Sequence, residues 1–261
     1  MALEAARTAG RYLAQAQRDV QIETFKEGAY NYATAQDVEA ERIILATIAR
    51  HFPNDAVLAE ESAPETDSAE RLWVVDPVDG TRNYANGLPF FAVSISFCRK
   101  DVPQVGVVYA PCLNDELFHA VRGGGAHVNG EPLEMLRPGA DLASSIVATG
   151  FAYHRGDGLK RAMAQYERTM NLATDVNRFG SAALDLCYVA AGRLGAYYEA
   201  GLKPWDVAAG TLIVEAAGGL CTNHAGGRLD IFRKANGHFA VNVLASKSTT
   251  ISRAMLPILQ P

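Results

Sequence analysis

The sequence predicts a mixed α/β fold in two halves, an antiparallel sheet carrying two helices and then a layer of alternating strands and helices. Three observations predict it. Apolar, strand-like runs at 56–59, 72–75, 91–99, 104–109 and 116–121 follow one another with only turn residues or acidic segments between them. Beyond Arg137-Pro138-Gly139 the pattern changes to strand and helix in alternation, as in an α/β layer. The chain has 261 residues, 49% of them hydrophobic and 20% charged, enough to bury a large interior as one domain or as two sharing a core.

Taken in order, residues 2–21 place Leu3, Ala6, Leu13, Ala14 and Val20 at helical spacing. A loop with Gly28 and Asn31 follows. Thr34 or Gln36 opens a second helix that runs to about His51 and stops at Pro53. The strands at 56–59 and 72–75 end at acidic segments, and turns are expected at 101–103, 111–115, 123–125 and 129–130. The second half reads as a strand at 145–149, a helix near 158–173, a strand at 175–179 and a helix at 182–191. A strand at 195–199, a helix at 206–217, strands at 219–222 and 239–244 and a last helix complete it. The two expected units are residues 1–140 and 141–261.

Composition excludes several classes. A formal net charge of −5 gives no support to a nucleic-acid partner, which usually demands a basic face. It is equally awkward for an enzyme of anionic phosphates unless bound cations invert the local field. Cys98, Cys112, Cys187 and Cys221 form no C-x-x-C pair and sit in apolar company, which reads as buried thiols in a reducing cytoplasm. The N-terminus lacks an uninterrupted apolar stretch, so no signal peptide is expected. No run of about 18 apolar residues exists, so no membrane span is expected. The His residues are scattered without H-x-H or H-E-x-x-H, which argues against zinc.

The chemistry concentrates in Trp73-Val74-Val75-Asp76-Pro77-Val78-Asp79-Gly80-Thr81-Arg82-Asn83. Two carboxylates follow a strand-like stretch, Pro77 and Gly80 turn the backbone, and Thr81 begins a short helix. Hard oxygen donors beside a helix start suit a divalent cation and a phosphate. Asp-Pro and Asp-Gly are also ordinary turn pairs, so the run gains weight from two remote segments, Leu58-Ala59-Glu60-Glu61-Ser62 and Lys203-Pro204-Trp205-Asp206-Val207-Ala208-Ala209-Gly210. Asp206 and Asp37 each also fit the first turn of a helix, where a negative charge meets the positive end of the dipole.

Together the three segments resemble the signatures W-x-x-D-P-x-D-G-T-x-N, W-D-x-A-A-G and G/A-E-E-S of the inositol monophosphatase family of magnesium-dependent phosphatases, in the right order. The resemblance runs from about Lys26 to the C-terminal strands. It implies an α+β / α/β chain folded as a five-layer αβαβα sandwich of the sugar-phosphatase type, with the site between the halves. It also implies two or three Mg²⁺ per subunit. Asp76 would bridge two ions, with Glu60 and the Val78 carbonyl completing one sphere and Asp79 and Asp206 the other. Asp37 and Thr81 would activate the attacking water, with Glu60 in the catalytic set. The phosphate would rest on the N–H groups of Gly80 and Thr81, and Gly180, Ser181, Ala182 and Glu199 would adjoin the leaving group with Asp79 and Asp206.

The resemblance further implies a small-molecule phosphate ester as partner, inositol 1-phosphate above all, together with a homodimer and inhibition by lithium. Relatives act on sugar bisphosphates such as fructose 1,6-bisphosphate, on 3′-phosphonucleotides or on histidinol phosphate. A non-catalytic binding protein on the same scaffold would have lost metal ligands that this chain keeps. The chain departs from the family at Asn31, where relatives usually carry Asp, and at Ala33, where they carry Val. Lys26 matches a basic position of the family. Asn177-Arg178 keeps one basic residue of a usual two, and Gly195 stands where relatives often have an acid.

Overall fold

A computed structural model of the chain describes residues 1–20, 22–27, 31–62, 69–134, 141–151 and 156–260; the side chains of 22, 23, 25–27 and 31 lie outside it. The sequence departures at Lys26 and Asn31 therefore fall outside the described side chains, and the expected boundary at 137–139 outside the described residues.

Helix α1 (Ala2–Ala16) forms on its apolar spacing, but residues 17–19 tighten into a 3-10 turn and Val20 lies beyond it. The expected loop is framed by a two-stranded antiparallel ribbon, β1 (Ile22–Glu27) and β2 (Asn31–Thr34). Thr34 caps α2 (Ala35–His51), which ends at Phe52, the residue before Pro53.

Strands β3 (Ala56–Ala59) and β4 (Arg71–Asp79) come next, followed by the short helix α3 (Thr81–Ala85). Strands β5 (Ala92–Arg99), β6 (Val102–Ala110), β7 (Glu116–Val121), β8 (Ala126–Val128) and β9 (Glu131–Pro132) complete a seven-stranded sheet in sequential order. The sequence suggests a wholly antiparallel sheet, and the structure corrects this: β3 runs parallel to β4. A parallel neighbour needs more return chain than a hairpin, and eleven residues separate Ala59 from Arg71 in the sequence. The β5–β6 turn also differs from expectation. Lys100 and Asp101 both take positive φ, 48° and 61°, as the twist-matched two-residue hairpin requires, so Val102 and Pro103 already belong to β6.

The second half contributes β10 (Ile146–Thr149), α4 (Asp157–Met170), β11 (Asp175–Asn177), α5 (Ala182–Ala190), β12 (Ala196–Leu202) and α6 (Pro204–Ala216). Then come β13 (Leu220–Thr222), β14 (Lys234–Ala235), β15 (His238–Phe239), β16 (Val241–Ser246) and α7 (Thr249–Leu259). Its main sheet has the order β11-β10-β12-β16-β13. The expected strand at 175–179 stops at Asn177; Phe179 leaves the ladder and stacks on Phe90 with ring centroids 4.8 Å apart.

These elements make five layers. Helices α1 and α2 cover one face of the seven-stranded sheet, α5 and α6 fill the space between the sheets, and α4 and α7 cover the outer face of the five-stranded one. The central layer is the largest core. It buries Leu58, Val74 and Phe118 from the first half with Leu184, Val207 and Val243 from the second. Close approach is set by glycine: a Cβ on Gly106 of β6 would lie 2.7 Å from the Ala209 carbonyl oxygen of α6. Among the described residues no helix is long and apolar enough to cross a membrane. None of the four cysteines is in a disulfide; Cys98 and Cys187 are buried, Cys112 and Cys221 partly so.

Candidate metal and phosphate site

The site begins where β4 ends. In a regular strand residues 76 and 79 face opposite ways. Here Asp76 pairs with Ser94 and Asp79 with Ala92, so three steps along β4 match two along β5. This bulge rephases the strand at Pro77, which has no N–H to give the ladder, and both carboxylates face one cavity of about 360 Å³. The Val78 N–H donates to Asp76 Oδ1 at 2.9 Å. Gly80 follows at φ 98°, and a Cβ there would crowd the carbonyl oxygens of Phe90 and Gly180 at 3.1 and 3.2 Å.

Thr81 opens α3 and its hydroxyl lies 2.9 Å from Asp37 Oδ1 and 3.0 Å from the Val78 carbonyl oxygen, one proton between two acceptors. Asp37 is 1% exposed. Its Oδ2 accepts from the Thr34 N–H at 3.0 Å and from the Thr34 hydroxyl, closing the capping box of α2. The helix cap and the orientation of Asp37 toward Thr81 are thus one arrangement. Burial pushes the Asp37 carboxyl up to about 6, assisted by the charge of Glu60 and opposed by the bonds from Thr34 and Thr81.

Asp206 arrives from the first turn of α6, which Pro204 starts, and accepts from the Lys203 N–H at 2.7 Å. Carboxylate oxygens of Asp76, Asp79 and Asp206 lie within 4.8 Å of one another. Asp76 and Asp79 are 1% and 7% exposed. Burial, then the charge of Glu60 against the bonds from Ser181 and Ala183, sets Asp79 at about 6. Burial and the charges of Asp79 and Glu60 push Asp206 well above the carboxylate range. Glu60, just past β3, lines the same cavity. Crowded, desolvated acids with oxygen donors only are what a hard divalent cation relieves, so the residues fit Mg²⁺.

The start of α5 holds Asp79 in place. The Ser181 hydroxyl and the Ala183 N–H, the latter at 2.7 Å, both donate to Asp79 Oδ2. Ser181 therefore sits behind Asp79, buried, whereas Gly180 and Ala182 line the cavity. Asn83 ties the halves together, its amide donating to the carbonyls of Phe90 and Phe179 at 2.7 Å each. Glu199 stands on the opposite wall, where the Tyr197 hydroxyl donates to its Oε2 at 2.7 Å. Burial raises Glu199 to about 7, against the Tyr197 bond and the nearby Arg178 charge.

The cavity brings together Glu60, Asp76, Val78, Asp79, Gly80, Thr81, Gly180, Ala182, Glu199 and Asp206, with Asp37 and Ser181 one bond behind it. Sequence reasoning missed Gly150 and Tyr197. A Cβ on Gly150 would fall 1.7 Å from Glu199 Oε2, so this glycine at the end of β10 makes the room that Glu199 occupies. A glycine closing an apolar strand was the available signal. Arg178, noted in the sequence only as a surviving basic residue, and Lys203 also line the wall.

Known proteins share this fold and much of this sequence. The Nus factor SuhB of Pasteurella multocida (strain Pm70) is 42% identical over 229 residues, 87% of this chain and 85% of the relative. The extragenic suppressor protein suhB from Bartonella henselae superposes with a TM-score of 0.88 at 36% identity, covering 98% of this chain and 96% of that one. An IMPase from Thermotoga maritima does so with a TM-score of 0.87 at 32% identity, over 98% and 94%. The family model described as the inositol monophosphatase family matches residues 1–254. With that match over nearly its whole length, the chain belongs to the inositol monophosphatase family.

Proposed function

We propose that this protein is a Mg²⁺-dependent phosphoric monoester hydrolase whose substrate is a polyol phosphate, inositol 1-phosphate first among them. The convergence of Asp76, Asp79 and Asp206 from two remote segments carries this reading. Two or three Mg²⁺ would be held by Glu60, Asp76, the Val78 carbonyl, Asp79 and Asp206, and when bound they supply a more acidic water and neutralise phosphate charge.

The chain's own groups do the rest. Asp37, close to neutral-range basicity, takes a proton through the Thr81 hydroxyl that it orients. The backbone N–H groups of Gly80 and Thr81 receive the phosphate, and glycine at residue 80 accommodates the positive φ of the turn that presents them. Ser181 and Ala183 keep Asp79 aimed by occupying one of its oxygens, leaving the other for the site. Glu199, with Gly180 and Ala182 beside it, accepts hydrogen bonds from the hydroxyls of the leaving alcohol.

The name Nus factor belongs to the SuhB relatives and points to a role of another class. Hydrolysis is favoured here because Glu60, Asp76, Asp79 and Asp206 are all retained. Phosphate release from a panel of esters with Mg²⁺, ranked by kcat/KM, tests the reading. Inositol 1-phosphate should lead the panel, and Asp79→Asn should lower turnover at least about a hundredfold with the fold intact. Full activity in that variant, or no release from any ester by the parent protein, refutes it.

A further inference from the structure

A second cavity, about 830 Å³ in volume, opens between α4, the end of α7 and the turn after β13. Ala200 is the one described residue that lines both it and the acidic cleft, so the two are separate places on the molecule. Its charge is of the opposite sign. Lys160, Arg161 and Arg168 reach it from α4, Arg228 from the turn, and Arg233 from farther along the chain. Asp230 is the one acid among its described lining residues, and its Oδ1 already accepts from the Phe232 N–H at 3.0 Å. Lys160 is partnered by Asp157 at 3.2 Å, and Arg168 is spent on the carbonyls of Ala164 and Gln260. The side chains of Arg161, Arg228 and Arg233 make no hydrogen bond or ion pair with any described residue. On a chain of net charge −5, three guanidinium groups without an acid stand around one hollow.

The backbone that carries these arginines is fixed. Asn223 Oδ1 accepts from the N–H groups of Ala225 and Gly227 at 2.9 and 3.0 Å, and its amide donates to the Arg228 carbonyl at 3.2 Å. The Arg233 carbonyl accepts from the Ala240 N–H at 2.9 Å, and the Arg233 N–H donates to the Asp230 carbonyl at 3.3 Å. The Gln260 amide donates to the His224 carbonyl and the Gln165 amide to the Leu259 carbonyl, each at 3.0 Å, so α4, the end of α7 and the turn are locked together. A rigid frame therefore holds cations that have nothing of their own to bind.

We propose that this cavity binds a small anion carrying a di- or triphosphate group, at a site separate from the acidic cleft and independent of any hydrolysis there. Guanidinium groups without a carboxylate partner are free to grip phosphate oxygens through paired N–H bonds. Their local field offsets the negative field that the rest of the chain presents to an anion. A single phosphate is small against a cavity near the upper end of the roughly 300–1,000 Å³ usual for ligand pockets, and a chain of two or three can reach arginines on separate segments. The described lining contains no Phe, Tyr or Trp on which a base could stack, which disfavours a nucleic-acid strand and makes the phosphate chain itself the recognised element. Inorganic polyphosphate and a nucleoside triphosphate share that chemistry.

The test is calorimetry on the full chain, stripped of divalent ions with EDTA and dialysed free of it, so that neither metal nor chelator competes. Inorganic tripolyphosphate should bind at least about tenfold more tightly than inorganic phosphate. The double variant Arg161→Gln/Arg228→Gln should weaken tripolyphosphate about tenfold or more. Arg50→Gln/Arg99→Gln, the same change of charge at exposed positions in the first half, should move it by less than about twofold. Should the first pair fail to fold, Arg233→Gln at an independent position should weaken binding in the same direction. ATP within about threefold of tripolyphosphate assigns the site to the phosphate chain alone, and ATP bound at least about tenfold more tightly assigns it to a nucleotide; both support the proposal when the arginine variants abolish the gain. No binding of tripolyphosphate at millimolar concentration overturns it. Equal weakening by the two double variants does so too, since it reports surface charge in general rather than this cavity. A single-stranded RNA oligonucleotide held more tightly than tripolyphosphate and lost in Arg161→Gln/Arg228→Gln overturns it in favour of a polymer.

Discussion

Replacing Asp79 by Asn should stabilise the metal-free protein while disabling it. Asp79 is buried at the end of β4 and faces the charges of Glu60 and Asp206, and burial sets its carboxyl at about 6 rather than 3.8. An acid held that far above its ordinary value costs the ionised native state about 3 kcal/mol. The sign follows from proton binding. Between pH about 4 and about 6 the folded chain holds this proton more tightly than the unfolded one, so stability falls as pH rises through the window and the full penalty applies above it. An Asn at 79 carries no such penalty, and its carbonyl oxygen can still accept from the Ser181 hydroxyl and the Ala183 N–H. In EDTA at pH 7.5 the variant should therefore unfold later than the parent by about 3 kcal/mol, or roughly 6–12 °C in Tm for a chain of this size. The gap should narrow to about 1 kcal/mol by pH 4.5 and close by about pH 3, below the ordinary carboxylate value. Comparing the two proteins at each pH cancels the histidines, whose contribution is common to both. Saturating Mg²⁺ should reverse the order, because the parent gains the free energy of binding. A parent protein as stable as Asp79→Asn at pH 7.5 in EDTA, or a gap indifferent to pH, would refute the claim that the fold holds this acid against its desolvation and the charge of its neighbours.

Three other outcomes follow from the same geometry. Thr81→Val removes the hydroxyl between Asp37 and the cavity and should lower kcat about a hundredfold with little change in KM or Tm, measured by phosphate release. Gly150→Ala drives a methyl into the Glu199 carboxylate, so KM for a polyol phosphate should rise about tenfold while kcat changes little; an unchanged KM would remove Glu199 from substrate recognition. Gly106→Ala pushes on the backbone of α6 at Ala209, where nothing flexible can yield, and should cost about 2–3 kcal/mol in urea unfolding.

What the amino-acid order determined by itself is the part of this protein made by near neighbours. Thr34 and Asp37 close a cap within one helical turn, and Pro77 and Gly80 bend the strand end so that Asp76 and Asp79 serve one cavity. Such features depend on local dihedrals and hydrogen bonds, so their residues could be read in sequence. The resemblance then supplied the remote partner Asp206, which no local rule could attach to them.

The tertiary structure alone decided what depends on distance through space. The parallel pairing of β3 with β4, the bond from Tyr197 to Glu199 and the gathering of Lys160, Arg161, Arg168, Arg228 and Arg233 around one cavity between α4, α7 and the turn at 223–228 have no local signature. Composition could not foresee that cavity, because a net charge of −5 is a sum over the whole chain, whereas an anion responds to the few cations that folding gathers around it.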